Sequence, residues 1–200
     1  MRKKTCSYLI IMISLVVSFI SYFKLGDEKI WILSIMPTIM LISNVIFNIL
    51  VKNTLLTEGN LENQLDLRII SNAMLMLLCI IHLVIVSTEF GYTITFELVV
   101  GIATGIFIMV LSNFMQRVEQ NYIYGIRTPW TLKNKEVWRL TNRFSAKIFF
   151  ITGLMIILLS ILTPKFVILS MISLVAIAAL ISVFSSYIFF RKIENKNIQS

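Results

Sequence analysis

Histidine occurs once in the 200 residues, cysteine twice and proline three times, and only 14% of positions are charged. One His and two Cys leave too little for a metal site, a disulfide framework or a Cys/His nucleophile. Seven Gly and three Pro exclude a collagen-like or low-complexity chain. Soluble domains average about 25% charged residues. Here 58% of residues are hydrophobic and the mean hydropathy is +0.88. The composition predicts an all-α, polytopic integral membrane protein with no catalytic cluster, metal or cofactor.

Six apolar segments run over Cys6–Phe23, Ile30–Val51, Ile69–Val86, Thr95–Met115, Ile148–Leu162 and Phe166–Phe190. Crossing a bilayer takes roughly 20 residues, with roughly 17 to 25 the usual range. The fifth segment is short, so its helix is expected to begin before Ile148, with Lys147 extending its ammonium back to the headgroups. The last two segments cannot be one crossing, because a helix from Ile148 to Phe190 would be about 64 Å long. A turn is expected at Thr163, Pro164 and Lys165. Arg2, Lys3 and Lys4 precede the first segment, but no small-residue cleavage site follows it, which predicts an uncleaved first helix.

Charge sets the expected orientation, since short loops rich in Lys and Arg stay cytoplasmic. With six crossings and the N-terminus inside, fifteen of the eighteen basic residues fall on the cytoplasmic side and only Lys24, Lys29 and Lys165 outside. Both termini are then cytoplasmic. This distribution accounts for the net charge of +8 without direct nucleic-acid binding, and membrane lipids are the expected partners of the basic face. The organisation expected is a four-helix membrane region over 1–115, a cytoplasmic motif loop with an interfacial helix over 116–147, and a transmembrane hairpin with a short basic tail over 148–200.

No Asp, Glu, Lys or Arg lies near a helix centre, which argues against a proton-coupled pump or ion channel. His82 is expected to hydrogen-bond a neighbouring helix, as are Asn44, Asn48, Asn72 and Asn113. Cys79 reads as a small buried hydrophobe, distant from a reduced Cys6. Gly101 and Gly105 form a GxxxG pattern suited to close packing within the bundle. Ser170, Ser173, Ala176, Ala179 and Ser182 suggest a close-packed side on the last helix.

The stretch from Asn121 to Lys147, NYIYGIRTPWTLKNKEVWRLTNRFSAK, differs from an ordinary loop. Gly125 permits a backbone angle that other residues avoid, Pro129 presets a turn or a first helical position, and Thr128 before it is a candidate N-cap. Asn134 is a second cap candidate, opening a helix at Lys135. On that helix Val137, Leu140, Phe144 and Ile148 share one side, while Lys135, Arg139, Arg143 and Lys147 recur every fourth residue on another. Cations at that spacing repel by a few tenths of a kcal/mol per pair. Lipid phosphates would reverse the cost, so a helix lying in the inner interface before turning into the fifth crossing is expected, at a depth that suits Trp130 and Trp138. Anchoring explains the Lys, Arg and Trp residues, but not why Gly125, Arg127, Thr128, Pro129 and Thr131 are strung together.

Those residues resemble the signature of the SdpI family of membrane immunity proteins, which act against peptide toxins of the sporulation-delaying type. The pattern comprises Asn121, Gly125, Arg127, Thr128, Pro129, Thr131, Trp138, Asn142 and Arg143, with Trp130 inside it and Ala146 where the family has Gly. The resemblance lies mainly in the C-terminal half. The loop from Lys24 to Lys29 has no counterpart of the Pro-x-His element found in many members, and Pro37 already lies in the second helix. The resemblance implies resistance to a membrane-active, bacteriocin-like peptide toxin in the bacterial cell membrane, toxin sensing, and a transcriptional repressor held at the membrane as a further partner. Two other classes stay open. A lipid-headgroup enzyme would need an acid, base or metal cluster, and Glu119 and Glu136 are the only carboxylates in that loop. A small transporter or flippase for a peptide or lipid would lack a buried charge or nucleotide motif for coupling.

Overall fold

The structure, a computed structural model, describes residues 2–26, 29–58, 61–121 and 123–199. Positions 27–28, in the expected loop after Lys24, and 59–60, in the expected loop after Lys52, lie outside the described residues. The side chains of Arg2, Lys3, Lys4 and Lys196 also lie outside them. Among the described residues seven α-helices follow in order: α1 (Arg2–Leu25), α2 (Ile30–Glu58), α3 (Leu61–Glu89), α4 (Phe96–Met115), α5 (Pro129–Lys133), α6 (Lys135–Leu162) and α7 (Val167–Gln199). No strand occurs among the described residues, and six of these helices are long and apolar enough to cross a membrane. The chain divides into two compact units, Met1–Ala103 and Thr104–Ser200.

In the first unit α1, α2 and α3 pack against one another around Ile11, Met40, Leu75 and Cys79. Large apolar side chains such as Phe19, Phe23 and Trp31 face outward, whereas Ser7, Ser14, Ser21, Asn44, Ser71 and His82 are buried. Lipid is as apolar as Leu, so only polar and small groups gain specifically from meeting each other inside. Ser7 Oγ donates to Asn72 Oδ1 at 2.5 Å across α1 and α3.

Pro37 lies within α2 and has no N–H for the carbonyl of Leu33, four residues before it. Ser18 of α1 donates to that carbonyl at 2.7 Å. With its one proton so committed, Ser18 Oγ accepts from His82 Nε2, 3.1 Å away on α3. One hydroxyl thus repairs a helix break and ties three helices together. It also meets the expectation that His82 bonds a neighbouring helix. Asn72 fulfils the same expectation, but Asn48 bonds Asn44 within α2 and Asn113 is exposed. Helix phase explains both departures: Asn48 lies one turn from Asn44, and Asn113 is turned about 100° around α4 from the buried Ser112.

At the end of α3, Gly91 (φ +82°) forms a Schellman turn, its N–H on Thr88 O and that of Tyr92 on Ser87 O. Lys29 Nζ meets Glu89 Oε2 at 2.7 Å, joining the α2 start to this end of α3. Cys6 and Cys79 are both free thiols, the second buried in the core.

In the second unit α6 and α7 form the hairpin expected at 163–165, joined by a short 3-10 turn, Pro164–Phe166. Gly105 of α4 faces Gly153 of α6: a Cβ on Gly105 would lie 2.7 Å from the Gly153 carbonyl, and one on Gly153 2.6 Å from that of Gly105. Half of the GxxxG pattern therefore packs within the chain, as expected. On α7 the expected Ser182 is buried, but its packed neighbours are Val167, Ala178, Ser185 and Ser186, while Ser173 and Ala176 are exposed. Residue size alone does not fix a helix's buried side; the phase set at Val167 does.

The cationic segment differs from expectation. Lys135 to Leu162 is one unbroken helix, with no turn between an interfacial piece and the fifth crossing. Like-charge repulsion of a few tenths of a kcal/mol per pair is smaller than the cost of losing several helical hydrogen bonds at a break.

Ser18→Ala should lower stability by about 1–2 kcal/mol, because it orphans the Leu33 carbonyl. In a Pro37→Ala background the new N–H serves that carbonyl, so the same substitution should cost less. Unfolding of the four variants in detergent measures the coupling, and equal penalties in both backgrounds would refute the repair role.

Candidate functional site

Between α4 and α5, over 116–121 and 123–128, the backbone leaves regular structure, and its peptide groups need partners wherever they are buried. Side chains supply them. Trp138, 2% exposed, donates its indole N–H to Val118 O at 2.9 Å. Asn121, 1% exposed, donates to Glu119 O and accepts from the N–H groups of Ile123 and Tyr124, each at 2.8 Å. Tyr124 donates its hydroxyl to the Leu111 carbonyl of α4. Burial pushes this phenol well above its ordinary pKa.

Gly125 is the tightest point. Its φ is +115°, and a Cβ there would lie 2.7 Å from Asn142 Oδ1 and 3.0 Å from the Trp138 ring. That bare backbone lets Asn142 Oδ1 accept from Ile126 N–H at 2.8 Å, while Asn142 Nδ2 donates to Trp138 O at 3.0 Å. The loop is thereby fixed to α6.

Thr128 caps α5 as expected, with Pro129 in its first turn. Thr131 Oγ1 accepts from Thr128 N–H at 2.8 Å and donates to Ile126 O at 2.9 Å. Thr131 N–H donates back to Thr128 Oγ1 at 3.4 Å, and with the Thr128 N–H bond this forms a capping box in which Thr131 replaces the usual Glu or Gln. Gln120 Nε2 donates to Thr131 O at 2.7 Å. Asn134, the second expected cap, accepts from Glu136 and Val137 N–H at 2.9 and 3.1 Å. Trp130 reaches α7, donating to Ser186 Oγ at 2.9 Å and packing on Tyr187 and Phe190.

Asn121, Gly125, Thr128, Thr131, Trp138 and Asn142 therefore interlock, and Trp130 bolts them to α7. Pro129 lies at the surface, and the side chains of Arg127 and Arg143 are exposed. Ala146 is fully buried. The sequence did not single out Gln120, Tyr124 or Ser186. Tyr124 lies inside the quoted stretch and Gln120 just before it, whereas nothing in α7 marks Ser186 before α5 is docked. The buried side of α6 is Val137, Trp138, Thr141, Asn142, Ser145 and Ala146, leaving Leu140, Phe144 and Ile148 half-buried. Polar groups take the inner position here because lipid solvates the apolar ones.

Residues 117–186 match the SdpI/YfhL protein family. The chain is also 36% identical to Immunity protein SdpI of Bacillus subtilis (strain 168), over 96% of its own length and 98% of the relative's. The chain belongs to the SdpI family. Likeness to this SdpI relative extends along nearly the whole chain, beyond the C-terminal half that carries the quoted motif. With six helices of spanning length, this member of the SdpI family is a multi-pass protein of the bacterial membrane. No solved structure matches the chain.

Gly125→Ala meets both a positive φ and the Asn142–Trp138 wall, whereas Gly91→Ala meets a positive φ with nothing within 4 Å. The first should cost about 2–3 kcal/mol and the second about 1–2 kcal/mol. Thermal unfolding of the purified variants tests the order, and an equal or milder effect at Gly125 would show that the wall yields.

Proposed function

We propose that this protein is a membrane immunity protein, protecting a bacterium against a membrane-active peptide toxin of bacteriocin type. The observation that carries this is the 36% identity, over 96% of the chain, to a protein named for immunity. The motif is built as a fixed platform beside the membrane, which suits binding or relay better than turnover. The amides and hydroxyls of Asn121, Thr128, Thr131 and Asn142 are engaged with backbone groups and one another, so none stands ready as an acid, base or nucleophile. Arg127 is the exposed cation on the motif loop itself and the candidate for recognition.

The finer reading has both termini and the motif loop in the cytoplasm, following the distribution of cations. Toxin is met on the lipid-facing helices, and the loop relays that event to a cytoplasmic partner, a transcriptional repressor in the fullest form of the reading. A transporter or flippase is the weaker alternative: among the described residues no Asp, Glu, Lys or Arg is buried to couple transport to an ion.

Expression in a toxin-sensitive bacterium should confer survival without toxin efflux or lipid turnover. Arg127→Lys keeps the charge but loses the planar fork, and should abolish survival at unchanged membrane abundance. Full resistance in that variant would reduce Arg127 to a charge anchor. Reporters fused after Ser200 and within Lys133–Lys135 should read cytoplasmic and one near Glu89 external; a cytoplasmic signal near Glu89 would overturn the orientation.

A further inference from the structure

Lys135, Arg139, Arg143 and Lys147 are all exposed along α6, and none makes an ion pair among the described residues. Side chains at this spacing have Cβ atoms about 5–6 Å apart, and like charges so placed destabilise a helix. Helical geometry makes the ridge about 18 Å long. The same face continues below Lys147 through Ile151, Met155, Leu158 and Leu162, each more than 40% exposed. One unpartnered helix face therefore changes from four cations to bare hydrocarbon along its axis.

The level of that change can be estimated. Ile148–Leu162 contains no charge, and as a helix it is about 22 Å long, shorter than the roughly 30 Å hydrocarbon core. With α6 upright, the core extends about five residues further, to Arg143, and Lys147 reaches up to the boundary. Arg139 then stands about 6 Å above it, among the phosphates.

We propose that this face of α6 is a binding site for an anionic phospholipid, with Arg139 and Arg143 gripping the phosphate and Ile151, Met155 and Leu158 receiving an acyl chain. Guanidinium forks bind phosphate through two parallel hydrogen bonds. A soluble acidic protein would match the cations but not the exposed apolar continuation, and free phosphate would leave that continuation bare. The site is independent of the immunity reading, because it rests on α6 alone.

The full-length protein in detergent, titrated with phosphatidylglycerol or phosphatidylcholine and read by native mass spectrometry, tests the site. Phosphatidylglycerol should bind about tenfold tighter, and Arg139→Gln with Arg143→Gln should remove that preference, since each cation near an anionic surface contributes about 1 kcal/mol. Lys24→Gln with Lys165→Gln loses the same charge elsewhere and should keep it. Equal affinity of the wild type for the two lipids would overturn the proposal, as would equal loss in both double variants. Displacement of the lipid by millimolar inorganic phosphate or by an acidic peptide would assign the ridge to that ligand instead.

Discussion

The grip of Asn142 on the Ile126 N–H is the contact on which the motif depends. It requires Gly125, because any Cβ there would occupy the space of the Asn142 oxygen. It requires Trp138, whose carbonyl orients the Asn142 amide and whose ring closes the other wall. Once Ile126 is fixed, its carbonyl stands where Thr131 can donate to it, and Thr131 in turn closes the capping box that starts α5. Trp130 then projects from a short helix held in one orientation and reaches Ser186. A five-residue helix has too few internal hydrogen bonds to persist by itself, so α5 exists because its cap and its docking surface are both supplied.

The same demand governs the first unit from the opposite direction. There the problem is a missing donor at Pro37, and the solution is a hydroxyl from another helix. Both units therefore bury small polar side chains beside apolar ones such as Leu75 and Ile156 and leave many Phe, Ile and Leu outside, unlike a water-soluble core. Hydrophobic burial brings these segments into the bilayer; hydrogen bonds and close contacts such as that of Gly105 with Gly153 decide how they pair there.

Local chemistry was legible in the sequence and tertiary partnership was not. The caps at Thr128 and Asn134 were readable because a cap is settled within about three residues. The six apolar segments were readable because bilayer thickness sets their length. His82 announced that it needed a partner, but Ser18 could be named only once α1 and α3 were packed, and the role of Ser18 at Pro37 needs a third helix. The continuity of α6 was hidden for another reason. Four cations at helical spacing look like the edge of a membrane, yet the helix runs through them unbroken.

That continuity bears on how the proposed relay could work. A helix that crosses the bilayer and also carries Trp138 and Asn142 leaves no flexible joint between the spanning part and the loop. The loop is held at the same time by Tyr124 on α4, Asn142 on α6 and Trp130 on α7. Each contact is a directional hydrogen bond that weakens steeply with misalignment, so the loop conformation reports the spacing of three helices. A hydrophobic peptide that altered that spacing from the lipid side would change what Arg127 presents, without touching it.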